Sequence, residues 1–83
     1  MELIKTGEKD DMMILSDKNG NTGCFRFIDM LSYKGKEYAA ISDEEDEVYV
    51  MEFFDGKNER FIEIEDDGVF DAVTELFDKA EEL

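Results

Sequence analysis

The sequence predicts an α+β protein: a curled antiparallel five-stranded β-meander packed by one C-terminal amphipathic helix. Short runs of β-forming residues alternate with tight-turn signals such as Asn19-Gly20 and Asp55-Gly56. After about residue 66 the apolar spacing changes to the three- and four-residue intervals of a helix. A chain of 83 residues builds only one modest core. We therefore assign residues 11–83 to a single small domain and the polar residues 1–10 to a flexible N-terminus.

The five predicted strands follow one another through short connections. They cover residues 11–16, 24–33, 36–42, 48–54 and 60–64. The first run is too short for periodicity to separate a strand from a helix, and we interpret it as a strand. In the second strand Asp29 interrupts the apolar alternation, so we expect a β-bulge near Ile28 and Asp29. Lys34-Gly35 predicts the next tight turn.

The fourth predicted strand is apolar on both of its faces. One face carries Tyr49, Met51 and Phe53, and the other carries Val48, Val50, Glu52 and Phe54. Because one helix covers only one face of such a sheet, two arrangements remain open. Either the sheet curls and encloses its second face, or that face meets a second copy or another partner.

The final element is predicted to be an amphipathic helix. Its apolar stripe consists of Val69, Phe70, Val73, Leu76, Phe77 and Ala80. Asp66 or Asp67 is expected to cap its N-terminus, where a short carboxylate accepts backbone N–H groups and complements the positive end of the helix dipole. We interpret the stripe as the face that packs on the sheet.

The composition excludes several classes of chemistry. The chain holds no His and a single Cys, Cys24. It therefore supplies no His-activated nucleophile, no His-containing zinc site, no multi-Cys metal site and no internal disulfide. We expect a protein that is not an enzyme, with no cofactor and no small-molecule substrate. The lack of disulfides and of an apolar leader-like run near Met1 favours a cytoplasmic location, and no run of about 18 apolar residues predicts a membrane span.

The charge is large and unevenly distributed. The formal net charge of −15 comes from 24 acidic and 9 basic side chains; residues 1–42 carry −1 and residues 43–83 carry −14. Such a field repels the phosphate backbone of nucleic acids and the surface of anionic membranes, so we expect neither as a direct partner. Basic proteins and divalent cations are the partners that this charge favours.

The densest acidic segment is the run Asp43, Glu44, Glu45, Asp46 and Glu47. Five adjacent like charges repel one another in a regular element, so we predict a loop. These five residues are the candidate site for a basic protein partner. Binding of a divalent cation, or simple solvation of an acidic loop, are the alternatives.

A second acidic segment has part of the spacing of a calcium loop. Asp17, Asn19 and Asn21 occupy the first, third and fifth positions, but Thr22 and Ile28 stand where that loop requires Gly and Glu. We therefore interpret residues 17–21 as a hairpin turn.

Several segments occur in an order that resembles a known family. They are the turn at residues 17–21, Tyr33-Lys34-Gly35-Lys36-Glu37-Tyr38, the acidic run before Val48, and Ile64-Glu65-Asp66 before the helix. The chain resembles the YrzB-like family of small acidic bacterial proteins of unknown function, over roughly residues 11–83. Members tend to place Pro where this chain has Glu63. The resemblance implies no catalytic or ligand-binding residues.

The leading functional hypothesis is a non-enzymatic interaction or regulatory module that offers its acidic half to a basic protein partner. One alternative is a homodimeric or assembly subunit that uses the second apolar face of the sheet. Another alternative is a nucleic-acid mimic, whose acidic half occupies a nuclease or resolvase. The resemblance adds that similar proteins are often encoded beside a Holliday-junction resolvase.

Overall fold

The computed structural model describes residues 1–81 and contains six strands and one helix. In chain order they are β1 (Glu2–Lys9), β2 (Met12–Ser16), β3 (Thr22–Tyr33), β4 (Lys36–Ser42), β5 (Val48–Asp55), β6 (Glu59–Glu63) and α1 (Asp67–Glu81). Each strand pairs antiparallel with the next, and β6 pairs with β1, so the sheet closes into a barrel. Residues 82–83 of the predicted domain lie outside the described residues.

The α+β class is confirmed, but the predicted number of five strands is wrong. The sixth strand is β1, which uses residues that the sequence assigns to a flexible N-terminus. Only Leu3 and Ile4 give this segment an apolar signal, and the rest of it is polar. Its pairing with both β2 and β6 supplies the stabilisation that the local sequence does not show.

The hairpin between β1 and β2 also lacks the usual turn residues. Asp10 and Asp11 both adopt the left-handed backbone conformation, with φ of 51° and 66°. This geometry suits a two-residue hairpin, for which Asn-Gly or Gly is the common choice because a side chain is strained there. Two aspartates therefore form a turn that sequence signals do not indicate.

The other predicted hairpins and the bulge are confirmed, although the turn predicted at Asp55-Gly56 lies at residues 56–58 because Asp55 still pairs with Glu59. Gly20 has a φ of 83° in the turn between β2 and β3, and Lys34 and Gly35 have φ of 50° and 80° in the turn between β3 and β4. The register of β3 against β4 shifts between Phe27 and Asp29, as expected for a bulge.

The closed sheet separates two apolar clusters. The barrel interior contains the buried side chains of Leu3, Met13, Leu15, Ala39, Ile41, Met51, Phe53 and Phe61. On the outer face, Tyr38 and Ala40 of β4 pack against Val73 and Phe77 of α1. The alternation along β4 thus directs successive residues into one cluster and then the other.

This arrangement answers the question raised by the two apolar faces of β5. The sheet curls, and Met51 and Phe53 lie inside the barrel. Val50 packs against the cluster beneath α1. Val48 and Phe54 keep 55% and 36% of their surface exposed, so the outer face of β5 is only partly covered.

The helix begins as predicted, with Asp66 as its cap. The backbone N–H of Val69 donates to Asp66 Oδ1 at 3.1 Å. The buried part of the apolar stripe is Val73 and Phe77, whereas Phe70 is 40% exposed. The side chain of Ala80, the last position of the predicted stripe, lies outside the described residues.

Candidate interaction site at the barrel mouth

The chain reverses direction at each hairpin, so alternate loops share one end of the barrel. Loops 17–21 and 43–47 lie at the end that we call the mouth, and loops 10–11, 34–35 and 56–58 lie at the opposite end. The side chains of the two mouth loops sum to a charge of −5, and those of the three opposite loops sum to zero. The meander thus concentrates loop charge at the mouth.

The acidic run is an ordered turn. Asp43 Oδ1 accepts hydrogen bonds from the backbone N–H of Glu45 at 2.9 Å and of Glu47 at 3.0 Å. The Asp43 N–H donates to the Glu47 carbonyl at 3.0 Å, and the Asp46 N–H donates to the Asp43 carbonyl at 3.2 Å. The pKa of the Asp43 carboxyl lies below its usual value, chiefly because of the hydrogen bond from the Glu47 backbone.

Loop 17–21 repeats this turn bond for bond. Asp17 Oδ1 accepts from the N–H of Asn19 at 2.9 Å and of Asn21 at 3.0 Å. The Asp17 N–H donates to the Asn21 carbonyl at 3.0 Å, and the Gly20 N–H donates to the Asp17 carbonyl at 3.2 Å. The Asp17 carboxylate is therefore used by a hairpin turn.

The two loops differ at the position that adopts the left-handed conformation. Loop 17–21 places Gly20 there, with φ of 83°, whereas loop 43–47 places Asp46 there, with φ of 66°. The sequence does not reveal this likeness, because only the initial Asp is shared and charge repulsion alone predicts a featureless loop. The available sequence signal for this turn was the Asp at the first position of each five-residue loop, since an Asp side chain commonly accepts hydrogen bonds from the backbone that follows it.

Tyr49 connects the acidic loop to the interior of the barrel. Its hydroxyl lies 3.1 Å from both Asp43 Oδ2 and Glu47 Oε2 and donates its single proton to one or the other. These hydrogen bonds, the one to Asp43 first, raise the pKa of Tyr49 to about 12. The Tyr49 ring stands edge-on to Phe25, with centroids 6.2 Å apart.

The five predicted site residues therefore divide into two groups. Asp43 and Glu47 hold the turn and the Tyr49 hydroxyl. Glu44, Glu45 and Asp46 are exposed, and their carboxylates form no hydrogen bond or ion pair among residues 1–81. The second group is the part of the loop that is available to a partner.

Beside the loop lies an apolar pocket, which the sequence did not indicate. This mouth pocket has a volume of about 230 Å³. Its lining residues are Leu3, Leu15, Gly23, Phe25 and Tyr49, together with Met1 and the more polar Asp17, Asn21 and Thr22. Gly23, Phe25 and Tyr49 also line the cleft that runs along the acidic loop. The pocket depends on barrel closure, because Leu3 comes from β1.

The Asp43 and Glu47 carboxylates converge on the Tyr49 hydroxyl, and no third carboxylate of the described residues joins them there in a metal-binding arrangement. Within the part of the chain that the structure describes, no three Cys, Asp or Glu side chains are placed to hold a metal ion. In the same residues, no helix has the length and apolar character needed to span a membrane.

The fold and the mouth define a small acidic protein in which a closed six-stranded sheet packs against one helix. Residues 18–82 match the family described as a protein of unknown function, DUF1292, and the chain belongs to this family. The resemblance drawn from the turn segments is thereby confirmed.

Two bacterial relatives cover nearly the whole chain. A UPF0473 protein of Heliobacterium modesticaldum is 32% identical over 80 residues, which is 90% of each chain. A UPF0473 protein of Alkaliphilus oremlandii is 32% identical over 77 residues, covering 86% of this chain and 90% of that protein. No solved structure matches the chain. Neither the family description nor the names of these relatives state an activity.

Proposed function

We propose that the protein is a non-enzymatic, cytoplasmic interaction module that binds a basic protein partner at the mouth. The observation that supports this most directly is the ordered acidic loop. Glu44, Glu45 and Asp46 project from a turn that the Asp43 carboxylate fixes, and none of them has a partner among residues 1–81. A regulatory role follows if that partner is an enzyme whose own basic surface becomes covered.

The order of the loop favours binding. A charged loop that is already fixed loses less conformational freedom on association than a loose one, so more of the Coulomb attraction appears as affinity. Because the loop charge is gathered at one end of the barrel, it also orients an approaching cationic surface. The three loops at the opposite end carry −2, +1 and +1, so their charges cancel in sum.

A second candidate function is self-association, supported by an apolar surface that adjoins the mouth and shares Met1 and Tyr49 with the mouth pocket. Met1, Val48 and Phe70 are exposed by 61%, 55% and 40% and line one shallow cleft beside β5 and α1. This cleft is the uncovered remainder of the second apolar face. Each copy carries −15, so a dimer formed there strengthens as salt screens the repulsion.

Capture from cytosol at several salt concentrations tests the first candidate. The mouth variant carries Glu44→Gln, Glu45→Gln and Asp46→Asn. The matched control carries Asp71→Asn, Glu75→Gln and Asp78→Asn, three exposed carboxylates on α1 with the same change in charge. We expect basic proteins to be retained by the parent and the control, lost by the mouth variant, and bound less strongly as salt rises from a low concentration to about 0.15 M.

Equal retention by all three proteins, or equal loss from both variants, shows that the mouth has no special part in binding. Light scattering at high and low salt addresses the second candidate. A fraction of dimer that increases with salt in the parent and is absent from Val48→Ser supports self-association. A monomeric mass at every salt concentration excludes it.

A further inference from the structure

We propose that the mouth pocket receives one aliphatic side chain of the basic partner, so that recognition combines an apolar anchor with flanking cations. This inference rests on the proposed function and specifies which segment of a basic protein fits. The ligand class is a peptide segment in which Leu, Ile or Met lies next to Lys or Arg.

Gly23 lets the Phe25 ring pack against the backbone of β3 in the wall of the pocket. Gly23 pairs with Leu15, a fully interior residue, so its missing side chain is on the inner face of β3. A Cβ atom built on Gly23 would approach Phe25 Cε1 to 3.1 Å, closer than ordinary van der Waals contact. The backbone of Gly23 is not left-handed, so the turn geometry does not require glycine there. The glycine instead makes room for the Phe25 ring, and a side chain at position 23 would have to displace that ring.

The pocket has the size and lining that suit an aliphatic group. An apolar cavity of about 150 Å³ is large enough to bind a benzene-sized molecule, and this one measures about 230 Å³. Leu3, Leu15 and Phe25 provide apolar contact in its interior. A charged group placed inside would lose hydration without a partner, so only an apolar group gains from entering.

The edge of the pocket selects for positive charge beside that apolar group. Asp17 lines the pocket, and the cleft that carries Asp43, Glu44, Glu45 and Glu47 shares the Tyr49 wall with it. Met1 also lines the pocket, but its ammonium group is paired with Glu63 at 2.8 Å. A cation attached next to the anchored side chain therefore meets carboxylates directly. A second copy of this chain brings −15 to the same place and is repelled, which favours a basic segment over self-insertion.

The test uses two synthetic probes, a lysine-rich peptide with one central Leu and the same peptide with Ser in that place. Binding is measured by NMR at about 0.15 M salt, where exposed charges are screened beyond about 8 Å. We expect the Leu peptide to bind about ten- to a hundredfold more tightly, as burial of one aliphatic side chain implies. The signals of the Leu3 and Leu15 methyl groups should shift with the Leu peptide only.

Glycine variants provide the matched control. Gly23→Val displaces the Phe25 ring that lines the pocket, which disrupts the apolar site, and should bring the affinity for the Leu peptide down to that for the Ser peptide. Gly7→Ala changes a strand glycine away from the mouth, where a Cβ finds ordinary contact with Ile14 at 3.6 Å, and should leave both affinities unchanged. If Gly23→Val does not fold, the methyl shifts of the parent protein still decide the question.

The outcomes separate the two proposals. If both peptides bind equally and shift only the signals of residues 43–47, the anchor is refuted and the acidic module stands. If neither peptide binds even at low salt, the proposed function fails and the anchor fails with it. Methyl shifts that depend on protein concentration without peptide identify a second copy as the occupant and overturn the anchor.

Discussion

Replacing Leu3 with Ala tests whether β1 is part of the cooperative fold. Leu3 is 7% exposed and packs among the interior residues of the barrel, and it pairs with Phe61 of β6. Leu→Ala in a protein core costs about 2–5 kcal/mol, and the cost rises with the cavity left behind. Leu3 also lines the mouth pocket, so water fills the space that the mutation leaves. We therefore expect a loss of about 2–3 kcal/mol, in the lower part of that range.

Urea denaturation followed by circular dichroism measures this loss. With a slope of about 1 kcal/mol per molar, the midpoint should fall by roughly 2–3 M. Thr6→Ala is the control in the same strand, because Thr6 is exposed and its hydroxyl makes only two long, exposed hydrogen bonds, each of 3.4 Å, to the Ile14 carbonyl and to Ser16 Oγ. It should stay within about 0.5 kcal/mol of the parent. Equally small shifts for both variants would show that residues 2–9 do not take part in the closed sheet.

Three further predictions concern stability. Asp46→Gly should raise the free energy of unfolding by about 1 kcal/mol, because glycine adopts the left-handed conformation without the strain of an aspartate. The melting temperature should then be about 4–8 °C higher. Gly20→Asp should lower it by a similar amount, and an unchanged melting temperature in both variants would show that these positions are not strained. Thr74→Val should stabilise by about 1 kcal/mol, because the Thr74 hydroxyl oxygen is buried without a hydrogen-bond partner among the described residues; a loss measured by urea denaturation refutes this. At low salt, stability should rise as the pH falls from 7 towards about 5, since self-repulsion decreases. It should then fall below pH 3.8, because Asp17 and Asp43 have pKa values lowered by backbone hydrogen bonds and lose that stabilisation as they are protonated; a stability that only declines from pH 7 contradicts this balance.

Much of the architecture could be predicted because its signals are local. Asn19-Gly20 and Lys34-Gly35 mark hairpins through their own conformational preferences. The interrupted alternation at Asp29 marks the bulge, and Asp66 marks the helix N-terminus three residues before the N–H that it caps. In each case one or a few adjacent residues contain the information.

The rest depends on contacts that no local pattern contains. Ion pairs hold β1 against β6, such as Lys5 to Glu59 at 3.1 Å and Arg60 to Glu2 at 3.5 Å. The two residues of each pair are more than 50 positions apart in the sequence. The mouth pocket needs Gly23 and Phe25 to face inward together, which depends on the register of β3 against β2. The acidic loop could be predicted as a candidate site, but the division of its carboxylates between turn and surface could not.

Closure of the sheet also determines the order in which strand contacts form during folding. Successive hairpins join neighbouring segments, whereas the β1–β6 seam joins Glu2 to Ile62 and Ile4 to Arg60 through only three register pairs. Contacts of such long sequence separation form late, after the entropy of closing a long loop has been overcome. Substitutions in the seam should therefore accelerate unfolding while hardly changing the refolding rate. A molecule opened at the seam exposes two strand edges together, and its strong negative charge then opposes pairing with another opened molecule.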